Sequence, residues 1–131
     1  MTARPKLLTT TPNFIVSDLT ASLEFYLGKL GFGEPGVWGE PPCFAMLHRD
    51  GFELMLSLAE EKAQPRPNGP DGMWDMYIRV GDLDAEIAAL KAAGAEIAAG
   101  PETKEYYGMR EIELLDPDGH RICFGQDVQA T

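Results

Sequence analysis

The chain carries one pattern twice. Asn13-Phe14-Ile15-Val16-Ser17-Asp18-Leu19 is answered by Tyr77-Ile78-Arg79-Val80-Gly81-Asp82-Leu83, a short apolar run ending each time in Val-x-Asp-Leu. An internal repeat constrains the fold more than any composition does, because each copy must bury its apolar face against something. After the first copy, Leu19, Leu23, Tyr26, Leu27 and Leu30 recur at helical spacing, with Ser17 or Asp18 as the N-cap and Gly31 as the stop. After the second, Leu83, Ile87, Leu90 and Lys91 keep the same period behind Asp82, and Gly94 ends it.

The copies also end alike. Cys43 to His48 alternates, Arg49-Asp50-Gly51 turns, and Phe52 to Leu58 returns. Glu111 to Leu115 alternates, Asp116-Pro117-Asp118-Gly119 turns, and Arg121 to Phe124 returns. Asp-Gly between alternating runs is a strong hairpin signal. Between the copies, residues 60–72 hold Pro65, Pro67, Gly69, Pro70 and Gly72, and read as an exposed linker. The expected organisation is one α+β domain over residues 1–131: a βαβββ module over about 8–59, the linker, and a second βαβββ module over about 73–128. Neither half closes a core alone, so the two are expected to curl side by side into an eight-stranded half-barrel with the helices outside and a concave face inside.

Alternation sorts side chains between those faces. If Phe14 and Val16 pack under the helix, Thr11, Asn13 and Ile15 face the cleft. If Leu54 and Leu56 pack, Glu53, Met55 and Ser57 face it. In the second half Asp75, Tyr77 and Arg79 face it, as do Met109, Glu111 and Glu113. Trp38, Trp74, Tyr106 and Tyr107 stand where they could rim it, or serve as ordinary core or dimer packing. Such a surface of aromatics, methionine and carboxylates suits a flat, cationic, amphipathic ligand.

The net charge of −10 argues against nucleic acid and is compatible with a cationic ligand, or simply with solubility. Apolar residues at 44% and charged residues at 24% describe a globular chain, and no apolar run approaches the roughly 20 residues of a membrane span. Only Leu7 and Leu8 follow the basic start before Thr9, so no secretory leader is read and the cytoplasm is the expected compartment. Cys43 and Cys123 are too few for a disulfide scaffold. There is no nucleophile elbow, phosphate loop or placed Ser/His/Asp group. A carboxylate among Glu53, Asp75, Glu111 and Glu113 could be a general base of raised pKa or a solvated group on the open face. His48 and His120 are read as solvated residues of the two hairpin tips.

"VSDLTASLEFYLGKLGF" resembles the opening helix, and "YYGMREIELLDPDGHRICFGQ" the closing hairpin, of the glyoxalase / bleomycin resistance / extradiol dioxygenase superfamily. The resemblance spans roughly Thr10 to Gln126. It implies that metal-using members place four ligands on the first and last strand of each module, positions held here by Thr11, Met55, Asp75 and Cys123. Thr and Met are poor ligands for a Lewis-acidic ion, so no metal, no cofactor and no catalytic residue is expected. The lead-in Tyr107-Gly108-Met109-Arg110-Glu111 is similar to that of the bleomycin resistance proteins, which bind a basic glycopeptide between two subunits without metal. The resemblance thus implies a homodimeric small-molecule-binding protein. The expected ligand residues are Asn13, Trp38, Glu53, Met55, Trp74 and Asp75, with Tyr77, Tyr107, Met109, Glu111, Glu113 and Cys123. A metal-dependent lyase, isomerase or dioxygenase, and a scaffold whose inner face is filled, are the alternatives.

Overall fold

A computed structural model describes residues 3–69 and 73–129. The first unit runs β1 (Asn13–Val16), α1 (Leu19–Leu23), β2 (Gly33–Trp38), β3 (Phe44–Arg49) and β4 (Phe52–Leu58). The second runs β5 (Met76–Arg79), α2 (Leu83–Ala92), β6 (Ala99–Lys104), β7 (Met109–Leu115) and β8 (Arg121–Asp127). Each unit forms one four-stranded mixed sheet, ordered β1-β4-β3-β2 and β5-β8-β7-β6. In both, the first strand lies parallel to the last and the remaining neighbours are antiparallel. The βαβββ repeat and the α+β class are therefore as the sequence predicts. The sheets are not closed into a barrel, which agrees with a curved half-barrel. Of the linker, residues 60–69 are described and carry one bridge, Glu60 to Ala63, while Pro70 and Gly72 lie outside the described residues.

The helices start as their sequences require. Asp18 caps α1 by accepting from the Ala21 N–H (3.1 Å), and Asp82 caps α2 by accepting from the Ala85 N–H (3.0 Å). They differ in their second halves. From Glu24 to Lys29 the first helix widens into a π-helix, with the Leu30 N–H donating to the Phe25 carbonyl at 3.1 Å. An i→i+5 turn takes more residues per revolution than the 3.6 period assumes. Phe25 and Tyr26 are consequently both buried, and Leu23 and Leu27 are only half-buried.

The sheet faces follow strand parity. Ala45 and Leu47 on β3, Leu54 and Leu56 on β4, Ile112 and Leu114 on β7, and Ile122 and Phe124 on β8 are all fully buried under the helices. They belong to one continuous apolar cluster that includes residues of both units. Among the described residues, no helix is long and apolar enough to cross a membrane.

The units interlock through their hairpin tips. The β7–β8 turn docks on the first unit: the Tyr26 hydroxyl donates to Asp116 Oδ2 (2.8 Å), and Asp118 Oδ2 accepts from the Ser17 N–H (3.0 Å). The β3–β4 turn docks on the second unit, where Arg49 forks onto Glu86 of α2 and also donates to the Leu30 carbonyl (2.9 Å). His120 belongs to this seam and not to solvent, which corrects its reading as a solvated tip residue. It is 3% exposed, stacks on Phe14 with ring centroids 4.5 Å apart and planes 7° apart, and places Nδ1 2.7 Å from Asp116 Oδ2. A charged turn with Asp at its first position folds the carboxylate back over the loop, so Asp116 also accepts from the Asp118 and His120 N–H groups.

Candidate functional site

The open face of the second sheet gathers most of the predicted ligand residues into one network. Glu111 on β7 is 3% exposed, so it is not the solvated group that was one of its two readings. Its Oε2 accepts from the Tyr77 hydroxyl of β5 (2.8 Å), and its Oε1 from the Tyr107 hydroxyl (2.8 Å). It has no ion-pair partner among the described residues. Its neighbour Glu113 is balanced: Arg121 of β8 donates to one oxygen and the Trp74 indole N–H to the other, both at 2.9 Å. Trp74 leans on Tyr77 at 4.7 Å and Tyr106 meets Tyr107 edge-on at 4.7 Å, so aromatic faces flank the buried carboxylate on two sides. Burial, and then Glu111, raise both tyrosine pKa values, so the phenols stay protonated and act as donors. Gly125 makes the arrangement possible, since a Cβ there would collide with the Tyr77 hydroxyl.

Cys123 pairs with Tyr77 and Glu113 across the sheet and is fully buried. Burial, then the nearby charges of Glu111 and Glu113, push its thiol up to about 12, so it is protonated at neutral pH. Met109 is buried at the start of the same strand as Glu111. Asp75 stands before β5 and is occupied structurally. Its Oδ1 accepts from the Asn68 N–H and its Oδ2 from the Arg121 N–H, both at 2.7 Å.

The first-sheet residues form a separate group. Asn13 faces Met55 across β1 and β4, and the Ser57 hydroxyl donates to its Oδ1 at 2.9 Å. Glu53 accepts from the Thr11 hydroxyl (3.4 Å) and lies 3.3 Å from His48 Nε2. His48 is half-buried on this face, opposite Glu53 in the β3–β4 register, and its Nδ1 has no partner among the described residues. Its reading as a solvated tip residue is thus corrected to a half-buried one paired with Glu53. Strand parity held the signal, because His48 follows Phe44 and Met46 at steps of two. Trp38 is 53% exposed on the edge strand β2, against Phe44. Among the described residues no hydrogen bond or ring contact joins the two groups. Glu53 of one group and Tyr77 of the other border a common cavity of about 380 Å³ along the edge strand β5.

The residues at the four positions where the resemblance implies metal ligands do not suit a Lewis-acidic ion here. Asp75 has both oxygens taken by backbone N–H groups, Cys123 is fully buried, Met55 offers a thioether, and the Thr11 hydroxyl is turned to Glu53. Among the described residues no group of three His, Cys, Asp or Glu side chains could hold a metal ion.

The sequence profile of the Glyoxalase/Bleomycin resistance protein/Dioxygenase superfamily matches residues 8–124. The chain belongs to this superfamily. Solved glyoxalase/bleomycin resistance structures share its fold. A glyoxalase / bleomycin resistance protein from Catenulispora acidiphila DSM 44928 is 29% identical, with 92% of this chain and 98% of that chain covered and a TM-score of 0.68. TnmS3, an antibiotic binding protein from Streptomyces sp. CB03234, is 23% identical over 95% of this chain and 99% of that one, with a TM-score of 0.71. A glyoxalase/bleomycin resistance protein/dioxygenase from Nocardioides is 23% identical over 100% and 89%, with a TM-score of 0.70. No curated protein matches the chain.

Proposed function

We propose that this protein binds a small cationic aromatic molecule on the open face of its second sheet, without metal chemistry, and acts by sequestering it. The observation that carries this reading is Glu111, a buried carboxylate held by two neutral phenols and with no ion-pair partner among the described residues. A buried charge without a counter-charge is costly, and a ligand ammonium would supply the missing partner. Trp74, Tyr77, Tyr106 and Tyr107 offer aromatic faces to such a cation and to any ring attached to it. The antibiotic binding described for TnmS3 supports an antibiotic as the ligand class, and a basic one of the bleomycin type is the proposed ligand because it would bring a cation to Glu111. The cytoplasm is the proposed site of action. The protein is proposed to act as a homodimer, with Asn13, Trp38, Glu53 and Met55 of the first sheet contributing to the crevice from one copy or the other.

Calorimetric titration with metal-free bleomycin tests the reading. Binding at micromolar protein is expected, weakened at least about tenfold in Glu111→Gln, which removes the charge and keeps the shape. No heat of binding, or equal affinity in the variant, defeats it. His48 beside Glu53, with a ring nitrogen unpartnered, favours a second reading as a metal-dependent enzyme of the superfamily. That reading requires a stoichiometric divalent ion in freshly purified protein, measured by elemental analysis.

A further inference from the structure

The repeat makes two ends of one seam equivalent, yet the ends are filled differently. Val-x-Asp-Leu aligns Phe14 on β1 with Ile78 on β5, and the turns align Gly119-His120 with Gly51-Phe52. At one end His120 leaves its hairpin tip and lies flat on Phe14, sealed from solvent. At the other end Phe52 is 72% exposed, and beside Ile78 there remains the cavity of about 380 Å³. A void of that size lies within the range of small-molecule pockets.

The walls of the cavity are apolar, from Pro12, Phe32, Met76, Ile78 and Val80, and one side is the unpaired edge of β5. The charged groups on its rim already have hydrogen-bond or ion-pair partners, with one exception. Arg49 is bound to Glu86 and approached by Asp50 (3.7 Å), and Glu53 is bound to His48 and Thr11. Arg79 has no hydrogen-bond or ion-pair partner among the described residues. It borders both this cavity and the adjoining hollow at the start of α2.

We propose that the seam cavity is a second binding site, for a planar aromatic carboxylate. The ring takes over Ile78 the place that the His120 ring takes over Phe14, and the carboxylate pairs with Arg79. The site shares Tyr77 with the face around Glu111 but calls for the opposite ligand charge. The apolar slot supplies most of the affinity and the exposed guanidinium supplies the sign preference.

The probe is 2-naphthoate, compared by calorimetry with 2-naphthylmethylammonium on Glu111→Gln, so that ammonium binding at the Glu111 face does not enter the comparison. Naphthoate is expected to bind more tightly. Arg79→Gln should weaken naphthoate by about threefold and abolish its advantage over the ammonium. Ile78→Phe, which fills the slot, should weaken naphthoate by about tenfold or more with the near-ultraviolet circular dichroism unchanged. Because Ile78→Phe could disturb folding, the wild type carries an independent reading: intermolecular NOEs from naphthoate to the methyl groups of Ile78 and Met76. No binding, preference for the ammonium in Glu111→Gln, or NOEs confined to Trp74 and Tyr107 would each overturn the proposal.

Discussion

Phe14 and His120 stack in parallel at 4.5 Å although 106 positions separate them in the chain (120 minus 14), and this contact ties the second hairpin to the first strand. Burial lowers the His120 pKa, but the hydrogen bond to Asp116, and then its charge, more than offset this, so the folded value lies above the ordinary 6.5. A raised folded pKa contributes stability that is fully present below the unfolded pKa and is lost as pH rises through the folded one. The melting temperature of the wild type should therefore exceed that of His120→Gln most near about pH 6, and the gap should narrow towards about pH 9. A gap that stays constant or widens over that range contradicts the assignment.

Tyr26 reaches the same carboxylate from the other unit. Its hydroxyl donates to Asp116 Oδ2 at 2.8 Å, and both residues are buried. Tyr26→Phe keeps the ring and removes one donor to a buried acid, which costs about 1–3 kcal/mol. Urea unfolding should show that loss as a lower midpoint at unchanged slope. A loss below about 0.5 kcal/mol would mean that water replaces the hydroxyl.

Gly125 is required by the side chain it faces. Gly125→Ala displaces the Tyr77 hydroxyl from Glu111, and overpacking of this kind costs about 1–3 kcal/mol. The variant should lose affinity for metal-free bleomycin together with stability. Adding Tyr77→Phe to Gly125→Ala should recover part of the stability, because the nearer of the two colliding atoms is gone while the ring carbon behind it still presses on the new methyl, and recover none of the affinity.

The two thiols should report their surroundings directly. Cys43 is exposed and Cys123 is buried with its thiol near 12. Iodoacetamide at about pH 7.5 is expected to label Cys43 alone, with Cys123 labelled only after denaturation. Peptide mass spectrometry reads this, and labelling of Cys123 in the native protein would show that the Tyr77 network opens.

Much of the architecture was legible in the chain because it is written in local periods. Val-x-Asp-Leu marked both strand-to-helix junctions, Asp18 and Asp82 both caps, and alternation the buried face of every inner strand. Alternation also placed Tyr77, Glu111 and Glu113 together on one face, where they are found. It did not show that Glu111 is sealed by two phenols while Glu113 is neutralised by Arg121, because hydrogen-bond partners depend on side-chain reach across strands.

The sequence by itself determined two βαβββ units and which side of each sheet is buried, since both follow from the spacing of apolar residues along the chain. Tertiary structure alone decided how the units meet. Which hairpin tip becomes a plug, His120, and which stays outside, Phe52, depends on contacts between residues far apart in the chain, such as Arg49 with Glu86 and Tyr26 with Asp116. Those contacts exist only once two surfaces are in register, and no local period encodes the register between two separately hydrogen-bonded sheets.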